Sequence, residues 1–148
     1  MDVNSWISIA GVLVTIVSMV VSIYQANKAK SYKEIVSNNM REIHFSQAKE
    51  SLKISLSEIE KLPTQPKRGI KIENNIRKIT TSLNQASING IIDMSTQIDQ
   101  IRGILREYQS AYINNESQMI VSKYDVLNAE ISRLILEIDK KIIDIKGA

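Results

Sequence analysis

A chain of 148 residues has room for one ordinary domain, or for a small domain with an anchor, but not for two enzyme-sized cores. The formal net charge is a modest +3; the absence of cysteine and the single histidine, His44, exclude disulfides, thiolate metal sites, cysteine nucleophiles and any paired-histidine metal site or triad. Five glycines, two prolines and few aromatics, set among many Ile, Ser, Lys, Glu and Asn, predict an all-α protein rather than a sheet sandwich.

Residues 3 to 27 carry no charge. At about 1.5 Å per residue a helix over that run reaches about 37 Å, enough for a hydrocarbon core of about 30 Å. Trp6 and Tyr24 stand near its two ends, where amphipathic rings favour the headgroup boundary. The start has Asp2 in place of a basic leader region, and no clear small-x-small cleavage site follows, so an uncleaved anchor is expected rather than a signal peptide. Lys28, Lys30 and Lys33 follow the span closely. The positive-inside rule then predicts a single pass with the N-terminus outside and the rest cytoplasmic.

Within this span Asn4, Ser8, Gly11, Thr15, Ser18, Ser22 and Gln25 are separated alternately by 4 and 3 residues, a 3.5-residue period that keeps them on one stripe. Of the span's serines and threonines only Ser5 lies elsewhere, and the other faces are mostly Val, Ile, Leu and Met, suited to lipid tails or neighbouring helices. Two explanations compete for the stripe: small residues let copies of the helix approach and hydrogen-bond, or hydroxyls from several copies line a wet central path. Both require a homo-oligomer. With no charge in the stripe, such a pore would select weakly and would close by dewetting near Gly11 or its apolar rims.

From Lys28 to about Lys61 neither Gly nor Pro interrupts the chain, which predicts a helical stalk continuing the anchor. Its apolar residues, from Ile35 and Val36 through Phe45 and Leu52 to Ile59, drift in phase, so the stalk is expected to pack on more than one partner helix. LPTQPKRG, residues 62 to 69, stops it. Beyond lie three further apolar rhythms of 4 and 3: Ile72 to Ala86, Met94 to Tyr112, and Ile120 to Ile138, separated by SING at 87–90 and INNES at 113–117. Narrow seams of this kind suit a bundle or coiled coil. The expected organisation is a transmembrane anchor over 1–27, a stalk over 28–62 and a cytoplasmic helical bundle over 63–148.

Charge is concentrated after the break. Between Lys61 and Ile92 stand Lys61, Lys67, Arg68, Lys71, Arg77 and Lys78 against Glu73 alone. Thr64 or Gln65 reads as a helix cap with Pro66 near the first position, which would put Lys67, Arg68 and Lys71 in the first turn, where the positive dipole end disfavours cations unless an anion sits among them. A solvated face or contact with anionic headgroups is the plainer reading. For nucleic acid the patch lacks its own stacking platform, because no aromatic falls between Phe45 and Tyr108; Tyr108 and Tyr112 are expected in the core. Arg102 and Arg106 would extend the patch, or Arg102 would pair with Asp99. His44 reads as a surface or packing residue. Glu58 and Glu60 lie on different helix faces and make no catalytic pair. No phosphate-loop, nucleophile-elbow, zincin or dinucleotide signature is present, so neither an enzyme nor a cofactor or metal is expected.

An anchor with a polar stripe, a stalk and a basic helical cytoplasmic part resembles the small membrane effectors of bacterial antiviral defence. The layout is most similar to the channel-forming effector of Hailong systems, which pairs with a nucleotidyltransferase that makes a DNA oligomer. The resemblance covers most of the chain and is carried by GVLVTIVSMVVS (11–22) and KLPTQPKRGIK (61–71). It implies an oligomeric ion channel held shut by bound single-stranded oligodeoxyadenylate and opened when that ligand is lost. Ser8, Gly11, Thr15, Ser18 and Ser22 would line or tighten the path, and Lys67, Arg68, Lys71, Arg77 and Lys78 would hold the anion. The alternative is a non-conducting membrane-anchored scaffold or a phage lysis protein.

Overall fold

The computed structural model describes the backbone of residues 3–66, 70–89 and 94–147, and the side chains of 11–66, 70–89 and 94–147. Four helices run in chain order: α1 (Val3–Ile59), α2 (Glu73–Asn89), α3 (Ser95–Ile113) and α4 (Ser117–Gly147). The expected all-α class is what the chain adopts. It divides into two compact units, Met1–Met40 and Arg41–Ala148.

The first unit is a stretch of α1. Nothing after Gly11 breaks the helical ladder, and every side chain from Gly11 to Ser37 is exposed within the chain. Among the described residues α1 is the one helix long and apolar enough to cross a membrane. Leu13, Ile16, Val17 and Val20 are each more than half exposed. In water that arrangement would be costly; in hydrocarbon it is the favoured state.

The second unit is a four-helix bundle with antiparallel neighbours, as pairs of contacts along the helices require. Glu42 and Lys49 of α1 meet Lys146 and Asp139 of α4, and Gln97 and Glu107 of α3 meet Glu137 and Lys123 of α4. Asn84 of α2 reaches Arg102 of α3. The three apolar rhythms of the sequence are the core: Ile79, Leu83 and Ala86 of α2, Ile98, Ile101 and Leu105 of α3, and Ile120, Leu127, Ile131, Leu134 and Ile138 of α4 are all buried. The last turns of α1 complete it with Phe45, Ala48, Leu52 and Ile59.

The stalk's drifting phase resolves into two stripes on one helix. Phe45, Ala48, Leu52, Ser55 and Ile59 face the core, whereas Ile43 and Ile54 stand outside. Ser51 and Ser55 sit buried because their hydroxyls donate to the carbonyls of Gln47 (3.0 Å) and Ser51 (3.2 Å), one turn back. The α3–α4 turn needs one left-handed residue, Asn115 (φ 60°), a conformation asparagine tolerates better than most side chains. There the Asn114 and Glu116 N–H groups donate to the Ser110 and Ala111 carbonyls, closing the end of α3.

One expected boundary is displaced. Thr64 to Pro66 reads locally as a helix start, yet α2 begins at Glu73. Leu62 and Ile72 are both buried in the core, so tertiary packing at these two residues overrides the local capping chemistry. The Ile72 carbonyl accepts the Ile76 N–H at 2.9 Å, opening the helix there with acidic Glu73 in its first turn. Lys71 therefore precedes α2 instead of occupying its first turn, and the dipole anomaly expected of it does not arise.

Candidate membrane segment and cationic surface

Two regions draw the sequence-predicted site residues. The first is the stripe on α1. Gly11, Thr15, Ser18 and Ser22 lie on one face, exposed, and a Cβ at Gly11 would meet nothing within 4 Å. Ser8 falls within α1, with its side chain outside the described residues. The Thr15 hydroxyl donates to the Gly11 carbonyl (2.9 Å), and the Ser22 hydroxyl to the Ser18 carbonyl (2.8 Å). These donors are thus satisfied inside the helix, which is what permits a hydroxyl to face lipid or a packed neighbour without loss. A hydroxyl that spends its hydrogen this way keeps its oxygen lone pairs, so the stripe offers acceptors.

The second region follows α1. Lys67 and Arg68 lie outside the described residues. Lys71 is exposed, ahead of α2. Arg77 is exposed and donates to the Asn74 side-chain oxygen at 3.2 Å. Lys78 turns back to Glu58, 3.7 Å away, and Lys61 lies 2.7 Å from the same carboxylate. Asn75 donates to the second Glu58 oxygen at 3.3 Å. Glu58, nearly buried, is held in its charged form below the usual carboxylate range, first by the Lys61 hydrogen bond; burial opposes this, and the charges of Lys61 and Lys78 reinforce it.

Sequence reasoning counted the cations of this segment and passed over Glu58 as their partner. The signal was present: Glu58 stands three residues before Lys61, on the side of α1 that carries Ser51 and Ile59. The result is that Lys61 and Lys78 share an anion supplied by the protein, and the surface left for an external anion is smaller than the sequence suggests.

Elsewhere the chain places the dull alternative for Arg102. Its guanidinium meets Asp99 and donates to Asn84 at 2.7 Å. Arg102 and Arg106 line a cleft of about 190 Å³ with Ile76, Thr80, Leu105 and Gln109. Tyr108 is fully buried, donating its hydroxyl to the Pro63 carbonyl at 2.7 Å, while Tyr112 is half-buried and stacks on it with ring centroids 6.3 Å apart. Burial raises the Tyr108 phenol well above its ordinary value, with Tyr112 and Tyr124 adding to the effect. His44 is exposed. Pro66 and Gln65 line a groove of about 670 Å³ with Ser117, Gln118 and Val121 at the start of α4. Among the described residues no group of three or more metal-ligating side chains converges.

No protein-family model, no curated protein and no solved structure matches the chain.

Proposed function

We propose that the protein is the subunit of a homo-oligomeric ion channel or pore in a bacterial inner membrane, an effector of antiviral defence. The reading carries α1 across the bilayer with its N-terminus outside, the stripe of Gly11, Thr15, Ser18 and Ser22 turned to a shared axis, and the bundle in the cytoplasm. One observation carries it: an uncharged, exposed stretch of α1 from Gly11 to Ser22 whose small and hydroxyl-bearing residues keep to a single face, with bulky aliphatic side chains on the others. Because the Thr15 and Ser22 hydroxyls donate to their own backbone, the oxygens facing the axis are acceptors, and permeation favours cations weakly.

Gating in this reading is by an anionic nucleotide or a single-stranded oligonucleotide such as oligodeoxyadenylate, supplied by a partner nucleotidyltransferase. It binds the cytoplasmic surface around Lys67, Arg68, Lys71 and Arg77. Lys78 contributes less than its charge suggests, because Glu58 already holds it. Charge reversal at Lys67 and Arg68 is expected to abolish binding of short single strands while leaving the bundle folded.

The same intrahelical hydrogen bonds also favour a second reading, a non-conducting membrane-anchored scaffold or lysis protein, since hydroxyls satisfied within their helix need no water-filled path. Ion flux through the reconstituted protein separates the two: flux under some ligand condition supports the pore, and silence under all of them leaves the scaffold.

A further inference from the structure

The small cleft between α2 and α3 is lined by donors that the protein's own acceptors only partly use. From α2 come Ile76 and Thr80, one turn apart, and from α3 come Arg102, Leu105, Arg106 and Gln109, which repeat at helical spacing and share a face. No acidic side chain lines it. Leu105 is buried and Ile76 half-buried, so apolar surface borders the cations and strengthens any charge interaction made there. Arg102 is tied at both terminal nitrogens, to Asp99 and, at 2.7 Å, to Asn84. Its Nε is buried, and no acceptor of the protein reaches it. Such an N–H on a cation is costly to leave unmet. Arg106, one turn further along α3, is exposed and meets no carboxylate among the described residues; Gln109 is half-buried, and its amide pairs with none of them either. Thr80 spends its hydroxyl hydrogen on the Ile76 carbonyl at 2.8 Å and offers the cleft an acceptor.

The geometry points to a binding site for a phosphoryl group in this α2–α3 cleft. The Arg102 Nε, the Arg106 guanidinium and the Gln109 amide donate to its oxygens, and the Thr80 oxygen accepts from the oxygen that carries a proton. Three donor side chains around one small space suit an anion with three or more oxygens, whereas a carboxylate is satisfied by a single guanidinium fork. Size argues the same way. At about 190 Å³ the cleft falls below the roughly 300–1,000 Å³ of ordinary small-molecule pockets, so it takes a phosphoryl head and leaves any attached group outside. Because both cations are arginines, the site keeps its charge across the whole range in which the protein is folded. It uses none of Lys67, Arg68, Lys71, Arg77 and Lys78, and it holds or fails independently of conduction by α1.

Inorganic phosphate titrated into the full-length, detergent-solubilised protein at constant ionic strength, followed by phosphorus NMR line width, tests the site. Saturable binding is expected. Arg106→Gln, which removes an exposed charge and no ion pair, should weaken it about tenfold, the loss of one charge-assisted hydrogen bond. Gln109→Leu should weaken it by a smaller factor. Arg133→Gln removes the same charge from α4, where the guanidinium pairs with Glu130 and is 63% exposed, and should leave binding unchanged. Far-ultraviolet circular dichroism of Arg106→Gln should match the parent, which separates loss of binding from loss of fold. Adenosine 5′-monophosphate and adenosine identify the source of the group. A monophosphate tighter than phosphate, with adenosine silent, supports the cleft and assigns it the end of a nucleotide; equal affinities support it and assign it free phosphate. Phosphate binding that is absent, that does not saturate, that acetate matches, or that Arg133→Gln weakens as much as Arg106→Gln overturns the site.

Discussion

Replacing Tyr108 with Phe removes one oxygen and nothing else from a fully buried side chain. That oxygen donates to the Pro63 carbonyl across a 2.7 Å hydrogen bond, tying α3 to the segment that follows α1. A net hydrogen bond of this type contributes about 1 kcal/mol, and the Pro63 carbonyl, on a half-buried residue, recovers part of that from water. At about 4 °C per kcal/mol for a unit of this size, Tyr108→Phe should lower the melting temperature by about 4 °C, and Tyr108→Ala, which also empties the ring's space, costs about 3–5 kcal/mol. The pH dependence gives a second signature. Burial raises the phenol above its unfolded value of 10.0, so its contribution is fully present below pH 10 and is lost as pH rises further. Thermal unfolding of the detergent-solubilised protein, followed by circular dichroism between pH 8 and pH 11, reads both effects. A Phe variant as stable as the parent, with an unchanged alkaline limb, would refute the argument.

Glu58 should act in the opposite pH direction. Its folded value lies below the ordinary 4.5, so its stabilisation is present above that pH and lost as the solution is acidified through the folded value; Glu58→Gln should flatten this acid limb in denaturant titrations. Leu127→Ala, in the core, is expected to cost about 2–5 kcal/mol, and Leu136→Ala, 63% exposed, within about 0.5 kcal/mol of nothing, by urea unfolding. For a short single-stranded oligonucleotide, five phosphate contacts would give a log-log salt slope of about −3.5; with Lys78 held by Glu58 the expected slope is about −2.8, and a flat response in fluorescence-anisotropy titrations would count against the patch.

The helices and their buried faces were legible because each carries an apolar period that nothing contradicts. Ile79, Leu83 and Ala86 repeat at helical spacing, as do Ile98, Ile101 and Leu105, and all six are in the core. Harder to read was α1, where an inward stripe through Phe45, Ala48 and Leu52 interleaves with outward Ile43 and Ile54 and the two rhythms blur. The start of α2 misled because local capping chemistry at Thr64 to Pro66 is sound by itself; the burial of Leu62 and Ile72, a tertiary effect, moved the helix seven residues past Pro66 to Glu73. The cationic surface was half legible. Counting lysines and arginines finds the charge, but only the packing of α2 on α1 brings Lys78 to Glu58. Tyr108 was read as core from its place in the α3 rhythm, while the Pro63 carbonyl it reaches, 45 residues earlier, left no trace in any spacing.

The central claim, that copies of α1 surround a conducting path, is tested most directly by recording current across planar bilayers containing the purified full-length protein. Discrete conductance steps, reduced when Ser18 on the stripe is replaced by Leu and unchanged when Val17 on the opposite side is replaced by Leu, are the predicted result. Bilayers that stay silent with and without oligodeoxyadenylate, or steps indifferent to Ser18→Leu, would contradict it.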